Sequence, residues 1–371
     1  MGVGIQTADI PRIRFATLFL QSMLAQLIFV AISLVYLAAL PVVGWMFPEM
    51  IQNQSAEMIV GIAGVSVPIL FFSLVLYTFC NMVITDRPDR PLSTLYHRVK
   101  KVLTSPLQMA AGLPLFASLV LFFYPFTVFK GNVGVIQPYA WDATFDRWDV
   151  ALHFGYRPWE LLQPLFGYMP VTFLLNFNYN LWFFVLNFFW VHYTFMARPG
   201  PERTRFFLTF FMIWAIIGSL TAIAFSSAGP CYYGFLHPGE INSYAALMDY
   251  LHGINAVIPI WAVSTQDYLW AEHGAGSLLG GVSAMASIHN ATALLFVLMT
   301  WKKMRWLRNL MIAHAVLIFL GSIHLGWHYA VDSYVAWVMA LGLWWLAGRI
   351  TAWWEGRPTV QAFNHVHQGG A

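Results

Sequence analysis

The stretch Ser322-Ile-His324-Leu-Gly-Trp-His328-Tyr-Ala-Val-Asp332-Ser-Tyr-Val-Ala-Trp337 falls between two apolar runs, about 307–326 and 329–351, and sets two ionisable residues at the mouth of the second. In a helix, His328 and Asp332 are four residues apart on one face, so the carboxylate can hold the imidazole. An ionisable pair in so apolar a setting is costly to bury, which marks it as functional. It reads as half of an active site.

Working outward, 59% of the 371 residues are hydrophobic, 17% aromatic and only 9% charged, about a third of the usual charged fraction. This is the composition of an integral membrane protein. The net charge of +3 says less than where the charges lie, and nothing points to a nucleic-acid partner. Cys80 and Cys231 are too few for a disulfide framework. Eight stretches have the roughly 20 apolar residues that a spanning helix needs: about 16–46, 57–82, 107–129, 172–196, 205–227, 284–301, 307–326 and 329–351. The first is too long for a signal-peptide core.

Positive residues are retained on the cytoplasmic side. With the N-terminus inside, 16 of the 19 Lys and Arg residues are cytoplasmic and only Lys130, Arg147 and Arg157 lie outside. Both termini are therefore expected in the cytoplasm. A ninth span through 244–263 would move the Lys302–Arg308 cluster outside and put Asp249, His252 and Pro259 in lipid, so it is rejected. Two outer lid segments are expected instead. Residues 131–169 mix Trp141, Trp148 and Trp159 with Asp142, Asp146, Asp149 and Glu160, as an interfacial belt does. Residues 228–283 are cut by Pro230, Pro238, Pro259 and the Gly274/Gly276/Gly280/Gly281 group. The basic loop 86–106 suits a surface helix on anionic head groups. The division is 1–106, an N-terminal two-helix addition with its basic loop; 107–351, a six-helix catalytic domain; and 352–371, a disordered tail.

Three elements then reach one depth. Ser287-Ile-His289-Asn290 opens the sixth span, His328 with Asp332 opens the eighth, and Ser226-Ser-Ala-Gly229-Pro230 closes the fifth. An imidazole fixed by a carboxylate can attack phosphorus. A second histidine opposite can protonate the leaving alkoxide and later activate the incoming hydroxyl. Amides at a helix start, with the Ser287 hydroxyl, can cradle phosphate oxygens. No metal or other cofactor is required. His324 and His328, four apart, have metal-ligand spacing, but no HExxH motif or matching carboxylates accompany them. Asn176, Asn178, Asn180 and Asn187 read as interhelical hydrogen-bonding groups, with a polar-head pocket as the alternative.

At these residues the chain resembles the type 2 phosphatidic acid phosphatase superfamily, whose motifs include P-S-x-H and S-R-x5-H-x3-D. Ala286-Ser287-Ile288-His289 answers the first and His328-Tyr-Ala-Val-Asp332 the end of the second. H-Y-x-x-D with the Gly229-Pro230-x-Tyr232 turn is similar, more narrowly, to the inositol-phosphorylceramide synthase and sphingomyelin synthase branch. The resemblance implies a six-helix core formed by the third to eighth spans, His328 as nucleophile, Asp332 as its orienting carboxylate and His289 as acid and base. The chain departs from the family where K-x6-R-P is expected: Arg87-Pro88 and Arg90-Pro91 have Cys80 and Val83 in the lysine position. Gly321-Ser322 replaces the S-R pair. Ser287, His324, Lys130, Arg147 and Arg157 are the remaining candidates for holding phosphate.

The expected function is a lipid phosphotransferase at the outer or luminal leaflet, passing a phospho-head-group such as inositol phosphate from a phospholipid donor to a lipid acceptor such as ceramide. A lipid phosphate phosphatase with water as acceptor uses the same residues. A transporter or scaffold is the reading from another class, and it would show broken helices or internal repeats. Few extramembrane residues favour a bacterial inner membrane, although a Golgi-type membrane gives the same topology. Head group, acceptor and oligomeric state are not legible.

Overall fold

A computed structural model describes residues 15–51, 56–273 and 281–369. Every regular element among them is helical. Helices α1 (Phe15–Ala25), α2 (Leu27–Met46), α3 (Ala56–Thr85), α4 (Pro91–Thr104) and α5 (Pro106–Gly131) precede a first group of short elements. That group contains α6 (Asp142–Leu152) and α7 (Pro158–Phe166). Next come α8 (Met169–Val191) and α9 (Pro201–Met212), each prolonged by a wider π-wound turn, to Met196 and Thr221 respectively. The second group contains α10 (Ala245–Asn255) and α11 (Trp261–Glu272), and the chain ends with α12 (Ile288–Thr300), α13 (Arg305–His324), α14 (Ala330–Glu355) and α15 (Pro358–Gly369).

Among the described residues seven helices are long and apolar enough to cross a membrane, so this is an all-α integral membrane protein. The sixth expected span, 284–301, is shorter than the sequence suggests. Residues 284–287 are drawn into extended contacts, with the Ala284 amide on the Ser227 carbonyl at 2.8 Å. Helix α12 therefore begins at Ile288 and has 13 residues, about 20 Å of helix. The run 16–46 is likewise two helices, broken at Gln26, whose side-chain amide turns to Ser22 Oγ and the Ala111 carbonyl at 2.8 and 3.0 Å. The tail expected to be disordered from 352 is helical as α14 finishes and α15 folds back. Val360 and Phe363 give α15 an apolar face that is buried with Ala25, Ala111 and Trp354.

The stretch 244–263 is not a span: α10 and α11 have 11 and 12 residues and are separate. Helix α4 is the expected exposed amphipathic helix after the second long span. Arg12, Arg14, Gly274, Gly276 and Gly280 lie outside the described residues. Proline starts α4, α5, α7, α9 and α15, where its fixed φ suits the first turn and its missing N–H costs nothing.

The bundle centre is aromatic, with Phe206, Phe207, Phe210 and Phe211 of α9 fully buried among Phe122, Trp182 and Trp214. Helix α12 packs on α13 and α14, α8 on α13, and α9 on α14. Of the α8 asparagines, Asn178 Oδ1 accepts from His314 Nδ1 of α13 at 2.9 Å, and Asn176 accepts the Ala262 amide of α11 at 3.0 Å. Asn180 and Asn187 instead bond back to their own helix.

The acidic residues of α6 are not an interfacial belt. Asp142, Asp146 and Asp149 recur at i, i+4 and i+7, on one helical face, and all three are buried. Asp142 accepts the Ser227 hydroxyl, the Ala228 and Gly229 amides and the Tyr329 hydroxyl, at 2.8 to 3.0 Å. Asp146 accepts from Arg157 and from Tyr244. Asp149 accepts the Ala330 and Val331 amides at 2.7 and 2.9 Å, at the positive end of the α14 dipole. Gly229 has φ +109 and approaches Trp327 so closely that a Cβ would lie 2.7 Å from its carbonyl oxygen. Only glycine serves there.

Two predictions follow from this layer. Replacing Asp142 by Ala strands four donors in a buried site, at a cost of about 3–5 kcal/mol. A sharp fall in detergent melting temperature is expected, smaller for Asp142→Asn, and an unchanged melt contradicts the hub assignment. Burial, only partly offset by the two amides, raises the Asp149 carboxyl to about 7, with Asp332 adding to the rise and His153 opposing it. The unfolded value is about 3.9, so this contribution to stability is complete below pH 4 and is lost as pH climbs through 7. Melting temperature should therefore fall from pH 4 to 8 more steeply for wild type than for Asp149→Asn.

Candidate active site

Asp332 lies in the first turn of α14 and His328 just before it, held there by the bend that follows α13. Gly326, with φ +72, lets that bend form, and the Trp327 and His328 amides both return to the Ser322 carbonyl at 3.0 Å. The bend brings His328 Nδ1 to 3.3 Å from Asp332 Oδ2, which also accepts the Tyr329 amide at 3.1 Å. Asp332 is fully buried and its Oδ1 has no partner. Burial, aided by the charge of Lys130 and opposed by a bond with the Ala284 backbone, pushes the proton affinity of His328 down to about 3. The imidazole is thus neutral at pH 7, with Nδ1 turned to the carboxylate and Nε2 as the remaining nitrogen.

His289 sits in the first turn of α12. Its ring lies between aromatic neighbours on α8, with centroids 4.7 Å from Tyr179 and 4.2 Å from Trp182. His289 is also close enough to His328 and Lys130 to feel both electrostatically. Lys130, in the last turn of α5, donates through Nζ to the Ser283 carbonyl at 3.3 Å and to the Ser283 hydroxyl. Gly281 allows this crossing, since a Cβ there would come within 2.5 Å of Lys130 Cγ. A narrow cleft opens onto His328, lined by Asp149, Trp159, Pro230, Tyr244, Ile323 and Tyr329.

The other residues proposed to hold phosphate fare differently. Ser287 caps α12, accepting the Asn290 amide and its Nδ2, and its own amide meets the Asp332 carbonyl at 3.4 Å. It therefore stands beside the pair. Arg157 makes a two-pronged contact with Asp146 at 2.8 and 3.0 Å and borders Tyr244, so its charge is already matched. Arg147 is exposed and donates to Thr144. His324 is fully buried, with Nε2 2.9 Å from Thr172 Oγ1 and Nδ1 unpartnered. Among the described residues no group of three or more His, Cys, Asp or Glu side chains is placed to hold a metal ion.

Sequence reasoning missed Asn290, Ser322 and the α6 aspartates. Asn290 Nδ2 bridges Ser287 Oγ and Ser322 Oγ at 3.1 and 3.3 Å, tying the two motif-bearing helices together. Ser322 occupies the place of the arginine in S-R-x5-H-x3-D. Lys130 also begins a spacing that was legible: seven residues on comes Gln137-Pro138, a K-x6-Q-P in which glutamine replaces arginine. The periodicity of Asp142, Asp146 and Asp149 was the signal for the third group.

No curated protein and no solved structure matches the chain. A family model described as the PAP2 superfamily matches residues 143–346. That segment starts one residue into α6 and ends inside α14, spanning the helices that carry His289, His328 and Asp332. With more than half of the chain covered, the protein belongs to the PAP2 superfamily.

Proposed function

We propose that the protein transfers a phospho-head-group from a phospholipid donor to a lipid hydroxyl through a phosphohistidine. The observation that carries this reading is a charge count. Ser322 and Gln137 stand where arginines are expected, Arg157 is matched by Asp146, and Lys130 is left as the cation beside the histidines among the described residues. One buried cation matches a phosphodiester, which carries a single negative charge. A lipid phosphate monoester approaches two, and one lysine compensates it poorly.

In the first step His328 Nε2 attacks phosphorus. A P–N bond forms as the P–O bond to the diacylglycerol oxygen breaks, and His289 gives that oxygen its proton. The bound diester lies between Lys130 and His289 and stabilises the imidazolium needed for this. In the second step His289 takes the proton of the acceptor hydroxyl, whose oxygen attacks phosphorus as the P–N bond breaks. Asp332 holds the ring throughout and offsets the charge that develops on it. Amides at the start of α12, with Ser287, suit the phosphate oxygens.

The narrow cleft, with Trp159, Tyr244, Ile323 and Tyr329 around a His328 only 8% exposed, favours a lipid acceptor over water. An inositol phosphate donor and a ceramide-type acceptor are the substrates of the branch that H-Y-x-x-D resembles. Family membership itself favours a second reading, hydrolysis of a lipid phosphate at the same residues. We place the site at the outer or luminal leaflet of a bacterial inner membrane or its equivalent. The basis is that Lys302, Lys303, Arg349 and Arg357 cluster at the ends of helices remote from His289 and His328.

Labelled phospholipid donors, given ceramide, diacylglycerol or no acceptor, test the reading. Acceptor-dependent transfer is expected, reduced about 10³-fold or more by His328→Ala and about 10²- to 10⁴-fold by Asp332→Asn. Lys130→Gln should weaken diester turnover. Acceptor-independent phosphate release lost in His328→Ala would establish the hydrolytic reading, and activity surviving His328→Ala would remove the histidine mechanism.

A further inference from the structure

Helix α14 begins beside the histidines and ends, 26 residues later, at Glu355. There, roughly 37 Å away along the helix, a second, narrow and partly open cleft is bordered by Gln26, Arg203, Thr204, Glu355, Phe363 and Asn364. It is made where α1, α2, α9, α14 and α15 meet, and nothing in the chemistry above uses it.

Two of its residues are incompletely satisfied. Arg203 is 4% exposed, yet no carboxylate lies within ion-pair distance among the described residues. Its guanidinium donates only through Nη2, to the Ala111 and Thr194 carbonyls at 2.7 and 3.3 Å. Nε and Nη1, with three N–H groups between them, have no partner among the described residues. Gln26 is also 4% exposed, and its Oε1 has no hydrogen bond among the described residues. Flipping the amide does not help, because an oxygen would then face the Ala111 carbonyl that Nε2 now meets at 3.0 Å. Glu355 is held by the Thr204 hydroxyl and by Asn364 Nδ2, both at 2.6 Å, and keeps accepting capacity on both oxygens.

A buried cation with free donors calls for an anion that offers several oxygens. An orphan amide oxygen beside a carboxylate calls for a donor, preferably a charged one. Ala25, Phe29, Val360 and Phe363 complete the lining, so the rest of the ligand is apolar. We propose that this cleft binds the phosphoethanolamine head group of a phospholipid. Its phosphate meets Arg203 Nε and Nη1, and its ammonium meets Gln26 Oε1 and Glu355. A phosphocholine head group carries the same charges but no N–H, so it leaves Gln26 Oε1 unsatisfied, and inorganic phosphate leaves the same gap.

The test uses the intact protein in nanodiscs of a phosphocholine lipid, with and without a phosphoethanolamine lipid, and reads melting temperature and the lipid adduct retained in native mass spectra. The phosphoethanolamine lipid is expected to raise the melting temperature and to remain as a one-to-one adduct. Gln26→Leu, which also loses the bonds to Ser22 and the Ala111 carbonyl, should melt lower than wild type in pure phosphocholine lipid, gain no melting temperature from the phosphoethanolamine lipid, and weaken adduct retention about tenfold, as loss of a buried hydrogen bond to a charged donor does. Arg203→Gln should abolish retention. If that variant fails to fold, Gln26→Leu decides alone. Identical melting and retention for the two lipids, or selectivity that survives Gln26→Leu, overturns the site. A melting shift reproduced by soluble phosphoethanolamine overturns the lipid assignment in favour of a free ligand. Neither readout depends on catalytic activity.

Discussion

A buried carboxylate in a membrane protein has to be met by donors at almost every oxygen lone pair, and Asp142 is where this constraint shapes the molecule. It binds the Ser227 hydroxyl, two consecutive amides of the Gly229 turn and the hydroxyl of Tyr329. The turn that closes the α9 span and the residue next to His328 are thereby fixed to one side chain. Asp149, two turns along the same face, seats the first amides of α14. The position of the His328 and Asp332 pair thus rests on α6, an element outside the membrane spans, and the geometry of the pair cannot relax while that helix stays docked.

The same logic explains what was and was not legible in the sequence. Spans and the pair at 328 and 332 declare themselves locally, through hydropathy and i,i+4 spacing. The burial of Asp142, Asp146 and Asp149 does not, because acidic residues mixed with tryptophan read equally well as an interfacial belt. Only the packing of α6 beneath the Gly229 turn distinguishes the two, and that is a tertiary fact. The shortened start of α12 and the folding back of α15 are likewise tertiary. Residues 284–287 could have continued the helix by propensity, but the Ser227 carbonyl and the Asp332 carbonyl claim their amides. The tail has few apolar residues, but Val360 and Phe363 fall on one face that α1 and α5 can cover.

Among the phosphate ligands suggested by sequence, burial and prior pairing separate the one the fold presents from those it withholds. Arg157 is close to the cleft and yet committed to Asp146, an exchange that makes it a strut between α6 and α7. His324 is one turn from His328, but the helix ends between them, and its ring turns instead to Thr172 on α8. Lys130 alone arrives at the histidines with its charge uncompensated by a carboxylate. The family motif that begins with lysine survives here in spacing more than in letters, and that is why a search requiring arginine at the seventh position passes over it.

A single cation also bears on why the site can stay closed. One lysine set against the Asp332 carboxylate leaves the empty site with no excess of positive charge, and the Ser283 carbonyl and hydroxyl accept from Lys130. Two arginines would each need water or a counterion in the resting state, and the pocket would have to be wide and wet to supply them. Replacing them by Ser322 and Gln137 removes that requirement. The consequence is a cleft narrow enough for Trp159, Tyr244 and Tyr329 to line it beside His328. On the proposed transferase reading, selection for a lipid acceptor over water needs no separate gate, because the same loss of charge that weakens monoester binding also keeps the site dry.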